Sequence, residues 1–121
     1  PASALDQGQR LETAVFNALR RRTPAVRVGS VCRLLIKEKS KNHEVDFVAG
    51  DALLMRAYSL IQVSVDMASE KTREREIAAL DASMAQFDLG ESAIVTMDEQ
   101  ADIPCEHGVV HVVPAWKWLL A

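Results

Sequence analysis

No apolar run in this chain is long enough to span a bilayer, and no signal-peptide pattern opens it. The expectation is a soluble, cytoplasmic protein without a membrane contact. Cysteine is scarce. Cys32 and Cys105 stand far apart and without metal-ligand spacing. They read as two reduced thiols, with one disulfide as the alternative. There is no glycine-rich phosphate loop, Walker motif, CxxC pair or GxSxG elbow. Each absence removes a class: no ATP site, no paired-cysteine metal or redox motif, no serine-hydrolase nucleophile. There is no initiator methionine either. The chain opens on Pro1, which points to a fragment of a longer protein.

What remains is enough for one domain. The 121 residues are 49% hydrophobic, which suits a globular fold with its own core. The net charge of -3 hides an asymmetry. Residues 1–41 hold nine Lys/Arg and three Asp/Glu, and the rest of the chain is acidic. A basic end could meet phosphate. Solvated helix and loop charge is the simpler explanation, and composition by itself does not make this a nucleic-acid binder.

In chain order, residues 1–8 carry no core pattern and read as a lead-in to a single domain over 9–121. Leu11, Ala14, Val15, Ala18 and Leu19 make one apolar stripe and predict a helix over 9–22, closed by Arg20, Arg21, Arg22 and Thr23-Pro24. Val26 to Lys37 and Glu44 to Val48 read as a hairpin with a polar connection. In the second strand alternation sets Val45 and Phe47 on one face, and Glu44, Asp46 and Val48 on the other. Gly50-Asp51 signals a turn, and 52–55 is either a short strand or a packed loop.

Tyr58 to Asp66 predicts a central strand with Leu60, Gln62, Ser64 and Asp66 on one face. A buried Gln there needs hydrogen-bond partners. Ser69 is a candidate N-cap for a helix to Phe87, with Ile77, Leu80, Met84 and Phe87 as its buried stripe. Arg73 and Glu76 prolong that stripe toward the preceding strand. They read as surface charges or as groups that reach the strand's end. Gly90 fits the terminator. Strands follow at 92–98 and within 105–113, with Glu106-His107-Gly108 as a turn. A short helix containing Trp116 and Trp118, both expected as anchors, closes the chain. The strands flanking the second helix should be parallel.

Several stretches resemble a known family. They are Gln9-Arg10-Leu11-Glu12 with Leu19-Arg20-Arg21-Arg22, Glu44-Val45-Asp46-Phe47-Val48, Leu60-Ile61-Gln62-Val63-Ser64, Thr72-Arg73-Glu74-Arg75-Glu76-Ile77 and Val113-Pro114-Ala115-Trp116-Lys117-Trp118. The chain resembles the C-terminal domain, of unknown function, of uncharacterised prokaryotic AAA-type ATPases. That domain falls within the PD-(D/E)XK, restriction-endonuclease-like superfamily. The resemblance implies an α/β fold with an αβββαβ core, a mixed sheet flanked by helices. It implies an ATPase module in the parent protein as partner. It also implies a site in which Glu12 and Asp46 match the metal-binding acids and hold Mg²⁺ or Mn²⁺.

Two positions depart from that pattern. Gln62 stands at the third ligand, where its amide oxygen could still bind a cation. Ser64 stands where the motif has its lysine, and serine supplies no positive charge. Lys37, Lys39, Lys41 or Arg73 could substitute for it. The expectation is a catalytically impaired domain serving in binding or assembly. The alternatives are a metal-dependent nuclease using Glu12, Asp46 and Gln62, and a nucleic-acid binder that does not cut.

Overall fold

The computed structural model describes residues 4–22, 29–38, 41–51, 56–65, 67 and 69–120. The elements are α1 (Ala4–Arg22), β1 (Gly29–Glu38), β2 (Lys41–Asp51), β3 (Arg56–Val63), α2 (Glu70–Phe87), β4 (Glu91–Thr96), β5 (Ala101–Pro104), β6 (Val109–Pro114) and α3 (Ala115–Leu120). The strands form one mixed sheet in the order β1-β2-β3-β4-β6-β5. β1, β2 and β3 pair antiparallel. β3 runs parallel to β4, as the intervening helix requires, and β4 runs parallel to β6. No helix among the described residues is long and apolar enough to cross a membrane.

Each face of the sheet has its own core. Leu11, Val15 and Leu19 of α1 pack on Phe47, Ala49, Ile61, Val63 and Val95, with Trp118 of α3 beside them. Ala79, Leu80 and Met84 of α2 pack on Val45, Val48, Leu60, Ile94 and Val110. The alternation Leu60/Ile61 and Ile94/Val95 between these two cores is what a doubly covered central strand demands. The α2 stripe is as read from the sequence. Ser69 caps the helix, its hydroxyl accepting the Thr72 N–H at 3.4 Å.

The structure corrects several expectations. Val45 and Phe47 do not share a face, since they belong to different cores. The cause is a register shift: Cys32 pairs with Val48 but Leu34 pairs with Val45, so β2 carries one extra residue there. A bulge of this kind rotates the strand between its two faces. α1 begins at Ala4, with Asp6 in its first turn, where a carboxylate suits the helix dipole. Gly50 and Asp51 continue β2 and pair with Ala57 and Arg56. β3 stops at Val63, leaving Ser64 beyond it.

The terminator of α2 is Asp88, at φ 55°, and not Gly90. A short polar side chain tolerates that left-handed backbone. β5 was not foreseen. It is an edge strand with little buried surface, so alternation does not mark it. Trp118 anchors α3, but Trp116 is 64% exposed. The predicted breaks at Thr23-Pro24, the strand start at Val26, the stretch 52–55 and Asp66 lie outside the described residues.

Candidate functional site

The backbone ladder between β2 and β3 stops before the end of β3, whose other edge pairs with β4. Backbone pairing of β2 with β3 reaches Phe47 opposite Ile61, while Ile61, Gln62 and Val63 already pair with β4. Past that point side chains replace the ladder. Gln62 Oε1 accepts the Asp46 N–H at 2.9 Å, and Gln62 Nε2 donates to the Glu44 carbonyl at 2.8 Å. The Asp46 carboxylate accepts the Val63 N–H at 2.8 Å. Both polar ends of the Gln62 amide are thus engaged by β2. That is how this side chain can be 1% exposed in the sheet.

Beside this splay lies a cleft of about 420 Å³. Glu44, Asp46 and Gln62 line it from the strands, and Arg75, Glu76 and Ala79 line it from α2. The bulge at Asp46 brings this acid to the α2 side. Glu76 is the unusual group. Burial, then the nearby Asp46 charge, push its carboxyl up to about 7, with Glu44 adding to the effect. Arg75, 3.7 Å away, pulls it down but does not prevail. A carboxyl poised near neutrality can hold or release a proton under physiological conditions.

Of the residues singled out from sequence, Asp46, Gln62 and Glu76 meet at this cleft. Glu12 is half-buried on α1, the helix that covers the Phe47 face, and is not among the cleft residues. Arg73 is exposed and lies outside the cleft, which has Arg75 in its place. Ser64 is buried, and its N–H donates to the Val95 carbonyl at 3.0 Å.

A second constellation was invisible to sequence spacing. Asp81 on α2 meets Glu106 and His107 of the β5–β6 turn, with ligand atoms within 4.8 Å of one another. His107 is a turn residue and His111 a strand residue, as expected. Cys105, a free thiol, belongs to the same turn. Burial and the neighbouring Asp81 push that thiol above its usual range. Asp81 lies 26 residues before His107, so only the fold brings them together.

Comparison with family models, with curated proteins and with solved structures yields no match to this chain.

Proposed function

We propose that this chain is a nuclease-like accessory domain of an AAA-type ATPase, with a restriction-endonuclease-like core that has lost strand cleavage and works in binding or assembly. One observation carries the reading. Gln62, at the position of the motif acid, commits its amide oxygen to the Asp46 N–H and its nitrogen to the Glu44 carbonyl. It acts as a bridge between strands. Ser64 adds support: it is buried at the lysine position and supplies no cation. A missing transition-state contact of that kind costs about 3 kcal/mol, or some hundredfold in rate. The proposed setting is cytoplasmic, with the ATPase module of the parent protein as partner.

A second reading has its own observation. Glu76 brings a third carboxyl into the cleft beside Asp46 and Glu44. In that reading Asp46 and Glu76 would hold Mg²⁺ or Mn²⁺, hard cations that favour oxygen ligands, and the domain is a metal-dependent phosphodiesterase. The test is cleavage of labelled single- and double-stranded DNA and RNA with Mg²⁺ or Mn²⁺, alongside Asp46→Ala. No Asp46-dependent cutting is expected. Cutting that disappears in Asp46→Ala would overturn the first reading in favour of the second. Nucleic acid bound without being cut, in the same reactions, would identify the binding partner.

A further inference from the structure

The β5–β6 turn is held with unusual closeness to α2 and β4. The Cys105 N–H donates to the Gly108 carbonyl at 2.8 Å, and the Cys105 thiol donates to the same oxygen at 3.2 Å. The Val109 N–H donates to the Gly90 carbonyl at 3.0 Å. Gly108 sits so near Gly90 that an added Cβ would fall 2.3 Å from the Gly90 oxygen. The turn's position is therefore set by backbone contact, before any ligand is considered.

That position presents two side chains to one partner on α2. Asp81 Oδ1 accepts the His107 N–H at 2.8 Å, which orients the carboxylate. Asp81 Oδ2 then lies 3.2 Å from His107 Nδ1. Two donors each about 2.1 Å from one ion stand roughly 3.0–3.4 Å apart in octahedral or tetrahedral geometry. The observed separation is that of a hydrogen-bonded His–Asp pair, and it also falls inside that window, so an ion could replace the shared proton without moving either group. Glu106 places a second carboxylate within the same 4.8 Å cluster.

We propose that Asp81, Glu106 and His107 form a binding site for a divalent transition ion of the zinc class, stapling the β5–β6 turn to α2. The imidazole nitrogen decides the class. Imidazole suits Zn²⁺, Co²⁺ and Ni²⁺, whereas Mg²⁺ and Ca²⁺ want oxygen alone. Three protein donors leave the remaining coordination to water. The site shares no residue with the Asp46 cleft and does not depend on the function proposed for it.

The experiment is calorimetric titration of the full chain with Zn²⁺ and with Co²⁺, and thermal unfolding with and without each ion. One saturable site per chain is expected, with a raised melting temperature, because an ion that binds only the folded state stabilises it. His107→Gln and Asp81→Asn should each weaken binding by at least about tenfold. His107→Gln keeps an exposed polar side chain, so its ion-free melting temperature should match that of the parent. Asp46→Ala should bind the ion unchanged, which separates this site from the cleft. The absence of saturable uptake, or an affinity that survives His107→Gln, would overturn the proposal.

Discussion

Gln62 and Asp46 hold each other across the gap between two strands. The Gln62 oxygen takes the Asp46 N–H at 2.9 Å, while the Asp46 carboxylate takes the N–H of Val63 at 2.8 Å. Each side chain thus replaces a ladder bond that the other strand's backbone can no longer make. The pair lets the β2–β3 ladder end inside the sheet while the N–H groups of Asp46 and Val63 stay satisfied.

Gln62→Glu should therefore destabilise the domain, although it supplies an acid where the proposed nuclease-like motif would have one. The new carboxylate can still accept the Asp46 N–H, but it faces the Glu44 carbonyl where a donor stood. The expected loss is about 2–3 kcal/mol near neutral pH. Protonation of the new carboxyl restores a donor, so the deficit should shrink as pH falls. Urea unfolding of both proteins across a pH series checks this. A Gln62→Glu protein as stable as the parent at neutral pH would contradict it.

Glu76 should make stability fall with rising pH. Its folded-state value is about 7, against 4.5 for an ordinary carboxyl, because burial and Asp46 disfavour the charged form. Below the lower value both states carry the proton and nothing is lost. Between the two values the unfolded chain gives up its proton first, so folding becomes less favourable until about pH 7. Glu76→Gln should remove this slope. Denaturant midpoints measured through that window, with and without the substitution, are the check.

Much of this arrangement is legible in the residues. The stripes of Leu11/Val15/Leu19 and Leu80/Met84 mark both helices, and Ser69 marks the start of the second. Gln62 is conspicuous as an amide in an apolar strand, which signals that it needs partners. The identity of those partners is not legible, because it depends on where β2 bulges. Strict alternation puts Val45 with Phe47, and one inserted residue breaks that rule. Arg75 and Asp81 were missed for a related reason. On a charge-rich helix, no local pattern separates a side chain turned to the cleft or to a distant turn from one turned to solvent.

His111 should tie three strands together in a pH-dependent way. Its Nδ1 lies 2.7 Å from Asp102 of β5 and its Nε2 3.4 Å from Glu91 of β4. The bond to Asp102 raises its pKa above the ordinary 6.5; burial opposes this, and Glu91 adds to the rise. A raised histidine stabilises fully below the ordinary value, and that contribution fades as pH rises through the folded value. NMR titration of the ring should show the raised value, and Asp102→Asn should lower it toward 6.5. A ring that titrates identically in both proteins would contradict the clamp.

Gly108→Ala should cost about 2 kcal/mol, the usual scale of overpacking. The added methyl would meet the Gly90 carbonyl oxygen at 2.3 Å and its carbon at 2.7 Å, both backbone atoms that cannot rotate away. Thermal unfolding measures the loss. An unchanged melting temperature would mean that the turn does not sit on Gly90 as described.

The most direct test concerns what Gln62 does when metal is offered. The protein is titrated with Mg²⁺ while the side-chain amide of Gln62 and the backbone amides of Asp46 and Val63 are followed by NMR. If the amide is a strand bridge, its protons exchange slowly with solvent, and Mg²⁺ produces no saturable shift at these three positions. Saturable shifts centred on Asp46 and Gln62 would contradict this and favour the reading in which the cleft holds a metal ion.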